Sequence, residues 1–417
     1  MTTACIIGVS GFGATHYHDL MAEVEAGRMR VLGATVINQD EEAAKCAHLE
    51  SVGCALFTDH RRMLAHLRDR IDLCLVPTGI PLHAPMSIAA MRAGANVLVE
   101  KPAAATVQEV QAMASTETVT GRFTAVAYQY LYAAETLTMK RLLTDGRLGS
   151  VHSVKFWGLW PRPDSYYARN DWAGRLRIGG TWVLDSPISN ALSHQLNMAA
   201  FLAGSELLVP ARPRSVQAEL YRGHDIESLD TACLRVETHD GPTLYGFVTH
   251  CSERNAGPEL VARGERGTLR WMPGRARVEY RNGTVEDIPC DGPEAMRSRM
   301  LARVRERVRD RGAFVCDLAN AGTHSLIVNG AHESSAIHTI DPGRITRTPE
   351  EESTKTVIRG IDEVVLRAFA EERLFSEMEV PWARPGAVFA LEGYRRFRGG
   401  LTPCSTGNSA IRRLLQP

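Results

Sequence analysis

Ala4-Cys5-Ile6-Ile7-Gly8-Val9-Ser10-Gly11-Phe12-Gly13 decides how the first third of the chain folds. Ala4 to Val9 is apolar without alternation, which suits a parallel strand covered on both faces. Glycines follow at once, and helical spacing follows them. Gly8 permits a tight turn, Gly11 and Gly13 let backbone and helix approach a pyrophosphate, and the helix start supplies N–H donors. Ser10 stands where a G-x-G-x-x-G loop has its middle glycine, so the approach there is tighter. Gly8, Ser10, Gly11, Phe12 and Gly13 are therefore expected to hold a dinucleotide.

Outward from that loop, Val31 to Ile37 and Ile71 to Val76 are further apolar runs, separated by the helically spaced stretches Glu41 to Leu49 and Arg61 to Leu67. A helix from Pro85 to Ala93, stopped by Gly94, leads into a strand from Asn96 to Val99. Strands alternating with helices predict a doubly wound sheet. After Thr124 the pattern changes to a helix from about Ala133 to Leu143, a strand Val151 to Phe156, an aromatic, arginine-rich loop Trp157 to Arg177, and a second helix near Ser189 to Leu202. Ser215 to Ile288 reads as antiparallel strands joined at Asp240-Gly241, Gly264 to Gly267 and Asn282-Gly283. Met296 to Arg311 carries seven arginines and reads as an exposed helix with a solvated face. Thr356 to Leu374 has the pattern of an amphipathic helix, and the tail from Gly399 has loop composition. The expected class is α/β: an N-terminal Rossmann dinucleotide-binding domain over 1–125, an α+β domain with a large, mostly antiparallel open sheet over 126–350, and C-terminal helices packing back on the body over 351–417.

Forty-eight acidic residues cancel 48 basic ones in this 417-residue chain, so no global field attracts nucleic acid or an anionic membrane. Nine cysteines, scattered without a CxxC pair, argue against a disulfide framework and a thiolate metal site and for reduced thiols. The N-terminus lacks the pattern of a signal peptide, and no segment approaches the roughly 18 apolar residues of a membrane span. A soluble, cytoplasmic protein is expected. His324, Asn329, His332, Glu333 and His338 fit no recognised ligand spacing, so no metal is expected there.

Only Lys45, Lys101, Lys140, Lys155 and Lys355 are lysine among the 48 basic residues. Lysine kept at Glu100-Lys101-Pro102, beside a strand end, points to chemistry, because an ammonium shifts its pKa on burial and a guanidinium does not. The acid that would bind an adenosine ribose at the end of the second strand is missing; Val36-Ile37-Asn38 stands there. Asn38 can hydrogen-bond the ribose and Asp40 is close enough to take the acidic role, so the cofactor is NAD or NADP with a lean towards NAD.

With the glycine loop, Pro77-Thr78 before Pro81-Leu82-His83, and Val97 to Pro102 in order, the N-terminal third resembles the Gfo/Idh/MocA family, the glucose-fructose oxidoreductase and inositol dehydrogenase relatives. The resemblance is strongest over residues 1 to 150 and continues to about 290, through Gly264 to Leu269. It implies an open sheet that often forms an oligomer interface, hence a dimer or tetramer. It implies that Lys101 contacts the reacting hydroxyl and the nicotinamide ribose, with a cis peptide before Pro102 and with Thr78, His83 and Glu100 beside the cofactor. Gln129 stands where the family has an Asn near the nicotinamide, and Leu131 replaces its following arginine. The family also places Asp and His at i and i+4 on a helix. Matching on Gly179-Gly180 makes Asp185 that aspartate but leaves Ser189 at the histidine. Matching on the downstream helix makes His194 the histidine and Asn190 the counterpart of the aspartate, with Asn197 and Gly204 in register. The second fits more positions and leaves Asp185 on an inserted turn, free to supply the missing carboxylate.

Oxidising a carbinol needs a hydride acceptor on one face and a base for the hydroxyl proton. His194 is the expected base, Lys101 the group that polarises the oxygen, and Asn190 an orienting residue. Tyr167, Arg169, Asn170, Trp172 and Arg175 offer aromatic faces and donors to a sugar or polyol, or to an oligomer interface. The expected function is an NAD(P)-dependent oxidoreductase acting on a secondary carbinol of a sugar, inositol or glycoside. The alternatives are a redox-assisted, NAD-dependent glycosidase or lyase and a non-catalytic dinucleotide-binding regulator.

Overall fold

The computed structural model describes residues 1–400; residues 401–417, the end of the expected C-terminal segment, lie outside the described residues. The N-terminal part alternates β1 (Thr2–Ile7), α1 (Gly13–Glu25), β2 (Met29–Thr35), α2 (Ala43–Ser51), β3 (Ala55–Phe57), α3 (His60–His66), β4 (Leu73–Val76), α4 (Ile80–Arg92), β5 (Asn96–Val99), α5 (Val107–Thr120) and β6 (Thr124–Val126). The strands form one parallel sheet in the order β3-β2-β1-β4-β5-β6, a Rossmann arrangement. Its order reverses between β1 and β4, where the crevice for a ligand opens. The apolar runs are apolar because helices cover both faces: Cys5, Ile6, Leu75 and Leu98 are fully buried. The sequence reading missed β3, an edge strand of three partly exposed residues, so Ile71 to Val76 contributes the fourth strand.

Downstream come α6 (Ala134–Thr144), β7 (Val151–Leu159), α7 (Asp164–Ala168), α8 (Ser193–Ala203), α9 (Pro293–Arg309), α10 (Leu318–Ser334) and α11 (Ile361–Glu371). Among the described residues β7 lies at the centre of a ten-stranded, mostly antiparallel sheet. It pairs parallel with Thr243–Thr249 and antiparallel with Ala256–Gly264. The sheet then extends through Gly267–Met272, Arg275–Tyr280 and Val285–Ile288 on one side, and through Thr231–Thr238, Pro213–Arg222 and Ile337–Thr339 on the other. α8 packs on the inner face so closely that a Cβ on Gly158 would fall 2.8 Å from the Leu192 side chain.

Three expectations are corrected. The helix expected from Ser189 begins at Ser193; Pro187–Ala191 forms a wide turn closed by Leu192 N–H on Pro187 O at 2.8 Å. The helix expected from Thr356 begins at Ile361, because Ser353–Ile358, with β-branched Thr354, Thr356, Val357 and Ile358, pairs as a strand with Ile345–Glu350 and Gly360, at φ 76°, turns the chain. α9 does not merely present a solvated arginine face. Met296, Met300, Leu301 and Val304 are buried, and Arg297 and Arg305 pair with Asp19 (3.1 Å) and Glu23 (2.9 Å) of α1, tying the two parts together.

Part of the outer face of the large sheet is covered by the chain itself. Leu159, Tyr221 and Phe247 of the sheet bury against Ile358, Val365 and Phe375 of the chain's own C-terminal part. Lys155 closes the cover, its Nζ donating to Phe369 O (2.7 Å) at the end of α11 and pairing with Glu372 (3.0 Å). Among the described residues the strands towards Val285–Ile288 keep a charged outer face, with Arg270–Glu259 at 3.0 Å and Arg277–Asp287 at 3.3 Å. Phe375→Ala is expected to cost about 3–5 kcal/mol, read as a lower urea midpoint. An unchanged midpoint would contradict the packing of this cover.

Candidate active site

The crevice at the β1–α1 turn is a cavity of about 540 Å³. Gly8 (φ 95°) donates its N–H to Thr35 O at 2.9 Å, and Gly11 (φ 56°) has open space where a side chain would stand. A Cβ on Gly13 would lie 3.1 Å from Gly8 O and 3.4 Å from Pro77 O, so that position needs glycine for the turn and the helix to meet. No side chain caps α1, which leaves its start to an anion. Ser10 Oγ donates to Asn38 Oδ1 (3.1 Å), and Asn38 Nδ2 donates to Glu41 Oε2 (2.8 Å). Glu41, itself exposed, is thus the carboxylate bonded to Asn38; neither it nor Asp40, expected in the acidic role, lines the cavity. Ile37, Leu82 and Met86 supply an apolar wall, and the Thr78 hydroxyl is buried without a partner. A cradle bare of side chains and an orphaned hydroxyl fit a dinucleotide.

A second cavity of about 470 Å³ continues from the first, sharing Gly11, Phe12, Pro77, Thr78, Asn170 and Trp172. Glu100 and Lys101 line it at the end of β5, and the Lys101-Pro102 peptide is cis. Glu100 Oε1 meets His16 Nε2 at 2.7 Å and Oε2 accepts from Lys101 N–H at 3.0 Å. Burial would raise the Glu100 carboxyl, but the hydrogen bond and charge of His16 hold it below its ordinary value. Lys101 Nζ donates to Asn190 Oδ1 (2.7 Å) and Asn190 O (3.0 Å). Burial pushes the Lys101 ammonium below its ordinary pKa, against the opposing charges of Glu100 and Asp185.

Asn190 reaches Lys101 because the wide turn Pro187–Ala191 carries it. Its Nδ2 donates to Asp185 Oδ1 at 2.8 Å, which fixes the amide orientation. Buried Asp185 also accepts from Gly174 N–H (2.7 Å) and lies 3.7 Å from Arg169. Burial raises its pKa, and the bonds from Gly174 and Asn190 and the charges of Arg169 and Lys101 pull the other way. Lys101, Asn190 and Asp185 thus form one relay, with the carboxylate one link removed from the ammonium.

The loop after α7 closes the cavity from the other domain. Trp172 lies against Gly79, whose Cβ would fall 3.2 Å from the indole nitrogen, and the Arg169 guanidinium stacks 3.7 Å above the Tyr166 ring.

Two sequence models match this chain: the oxidoreductase family with an NAD-binding Rossmann fold, Gfo/Idh/MocA, over residues 3–128, and the Gfo/Idh/MocA C-terminal domain over 136–270. The chain belongs to the Gfo/Idh/MocA family. Among curated relatives, an inositol 2-dehydrogenase 2 of Saccharopolyspora erythraea is 28% identical over 242 residues, covering 57% of this chain and 63% of that protein. A dTDP-3,4-didehydro-2,6-dideoxy-alpha-D-glucose 3-reductase of Streptomyces violaceoruber is 27% identical over 192 residues, covering 46% and 52%. The chain thus spans between half and two thirds of the length of these two relatives. A levoglucosan dehydrogenase solved in complex with NADH shares the fold at a TM-score of 0.66 and 16% identity, covering 79% of this chain and 95% of that one.

Within this Gfo/Idh/MocA frame the structure gathers Lys101, Asn190, Arg169, Asn170 and Trp172 around the second cavity, with Asp185 behind Asn190. Other expected residues stand elsewhere. Half-buried His194 lies between the rings of Tyr128 (5.6 Å) and Tyr130 (5.2 Å), its Nδ1 has no partner, and it does not line the cavity. Burial, then the charge of Lys101, pushes it down to about 3, so it is neutral and a far weaker base than expected. His83 faces the cavity, but its ring nitrogens meet Pro102 O (2.7 Å) and Thr78 O (2.9 Å), so it clamps two loops together. Gln129 lines neither cavity. Tyr167 and Arg175 line a separate polar cavity of about 510 Å³; Tyr166, which the sequence reading passed over, takes the place expected of Tyr167.

His224, Asp230 and Cys251 approach one another, but Asp230 Oδ2 already accepts from Gly223 N–H, His224 N–H and His224 Nδ1, so the oxygen a cation would need is engaged. His324 and Asn329, from the histidine-rich stretch, bond to backbone of other segments. Gly13→Val should force backbone shifts of about 1–3 kcal/mol in the cradle, a loss of roughly ten- to hundredfold in NADH affinity by fluorescence titration. Full affinity in that variant would contradict the cradle.

Proposed function

We propose that the protein is an NAD(P)-dependent oxidoreductase that transfers hydride between nicotinamide and a secondary carbinol of a sugar, inositol or glycoside. The observation that carries this reading is the Lys101 ammonium, bound by Asn190, in the cavity that continues from the dinucleotide crevice. The inositol dehydrogenase and sugar reductase relatives support it.

A bound nicotinamide would supply the hydride acceptor or donor. Lys101 donates to the substrate oxygen, or takes its proton once the ammonium has lost its own; burial eases that loss. Asn190 fixes Nζ in place, and Asp185 fixes Asn190. His194, pushed down by burial and the Lys101 charge and standing outside the cavity lining, is not needed as the proton's resting place. Tyr166 and Trp172 offer ring faces to a sugar, and Arg169 and Asn170 offer donors. The intact relay speaks against a regulator that has lost turnover, and no residue of the cavity favours glycoside cleavage.

Glu41 is bonded to Asn38, which lines the dinucleotide crevice, and a carboxylate beside that residue supports NAD over NADP. All eight described cysteines are free, in keeping with a reducing cytoplasm. No described helix is long and apolar enough to cross a membrane. A dimer or tetramer formed through the large sheet would have to use its uncovered charged strands.

Turnover is tested by following NADH absorbance with NAD and NADP against a polyol and sugar panel. Cofactor binding without turnover on any member would defeat the dehydrogenase reading. Lys101→Arg should keep NADH affinity and lose about a hundredfold or more in kcat. The pH profile gives a signed test. Asp185 stabilises the Lys101 ammonium, so Asp185→Asn should move the Lys101 inflection in kcat/KM to lower pH. An inflection that stays put or rises would remove Asp185 from the relay. Glu41→Gln should raise the affinity for NADP relative to NAD, and an unchanged ratio would contradict its placement.

A further inference from the structure

One buried helix reaches both partners of the Lys101–Asn190 contact. On the Lys101 side, Ser325 Oγ donates to Ala104 O (3.0 Å), Asn329 Oδ1 accepts from Val107 N–H (2.9 Å), and Asn329 Nδ2 donates to Ala105 O (2.9 Å). These bonds fix the segment that runs on from Lys101-Pro102 into α5. On the Asn190 side, His324 Nε2 lies 2.8 Å from Ile188 O, two residues before Asn190 in the wide turn. A carbonyl only accepts, so Nε2 carries the proton, and Nδ1, buried without a partner among the described residues, is the bare nitrogen of that tautomer.

The turn depends on such help. Leu184, which leads into it, holds φ at 54°, a region that side-chain-bearing residues seldom adopt. Within the turn, Ser186 Oγ accepts from Ser189 N–H at 3.2 Å, a local bond that does not reach the rest of the molecule. The His324 bond spans 136 residues and ties the turn to α10. The His324 ring also lies 5.6 Å from that of Tyr128, which packs in turn on His194. Imidazole at 324 therefore has one ring neighbour, Tyr128, and one donated hydrogen bond, and that bond holds the segment that presents Asn190.

We propose that His324 is a positioning residue: by donating to the Ile188 carbonyl it fixes the turn that brings Asn190 against Lys101, while Ser325 and Asn329 of the same helix hold the Lys101 segment opposite. α10 thereby sets the distance across the relay without touching substrate or cofactor. The inference rests on the oxidoreductase reading only for its effect on turnover; the geometry it describes can be tested without any substrate.

The test is the pH dependence of Lys101 acylation in the full chain, measured by competitive labelling with acetic anhydride and peptide mass spectrometry. The charged groups and histidines facing Lys101 are Glu100 beside it, Asp185 before the wide turn, Arg169 on the loop after α7, His194 on α8 and His324 itself. Burial pushes His324 down to about 4, so it is neutral and its removal takes no charge from the site. A shift in Lys101 then reports on Asn190 withdrawing two acceptors from the ammonium, which lowers the lysine pKa.

In His324→Leu the labelling midpoint should fall by about one pH unit, a tenfold change in the protonation equilibrium. In His324→Gln, whose amide can still donate to Ile188 O, the midpoint should stay near that of the unaltered protein. Should the leucine variant fail to fold, His324→Asn, too short to reach Ile188, carries the same comparison. Under the oxidoreductase reading kcat falls about tenfold in the leucine or asparagine variant and recovers in the glutamine variant, with NADH affinity unchanged. Midpoints that do not move, or that move equally in the glutamine variant, overturn the proposal. Absence of turnover in the unaltered protein would instead sink the oxidoreductase reading and leave the labelling result standing.

Discussion

The site depends on one contact, the hydrogen bond from Lys101 Nζ to Asn190 Oδ1, which joins residues 89 positions apart and belongs to both halves of the molecule. Lysine at the end of β5 comes from the Rossmann sheet; asparagine comes from a turn between the large sheet and α8. A buried ammonium without acceptors is costly, and a buried amide without partners is costly too. Each satisfies the other, and Asp185 takes up the amide hydrogens that Lys101 cannot. The strained entry at Leu184 and the wide turn at Pro187–Ala191 make sense as the means by which Asn190 reaches that far.

Around the contact, the two halves are held in register by bonds that have no part in chemistry. Arg297 and Arg305 of α9 grip the acids of α1, and α10 bonds to the segment after Pro102. The relay therefore sits in a rigid frame, as expected where small displacements of an acid or base carry a large loss of rate. The loop after α7 is tied to the same frame, through Gly174 N–H on Asp185 and Ser228 N–H on Gly174 O, and forms one wall of the second cavity.

The parts legible in the sequence were those written as local patterns. The glycine loop, the apolar strands and Glu100-Lys101-Pro102 each declare themselves within a few residues, because turn, strand and strand-end chemistry are local. The relay was half legible: Lys101 and Asn190 stood out, but the order in which Asn190 and Asp185 follow Lys101 depends on a wide turn that has no residue signature. Tyr166 and Tyr167 show a second limit. On α7, neighbours point about 100° apart, so only the docking of that helix decides which ring faces the cavity. Which carboxylate after β2 bonds Asn38 could not be read from the sequence, because it depends on side-chain directions that only the folded turn sets. The cover on the outer sheet was legible only as C-terminal helices packing back on the body; which face Ile358, Val365 and Phe375 cover could not be read, since they are ordinary apolar residues until the sheet is known.

A crystal structure of the protein with NADH bound decides whether Lys101 and Asn190 meet where hydride is exchanged. The adenosine half should lie along Asn38 and Leu82 and the nicotinamide ring in the cavity lined by Lys101, with Nζ still bonded to Asn190. A nicotinamide ring outside that cavity, or a Lys101 side chain turned away from Asn190 with the cofactor in place, would contradict it.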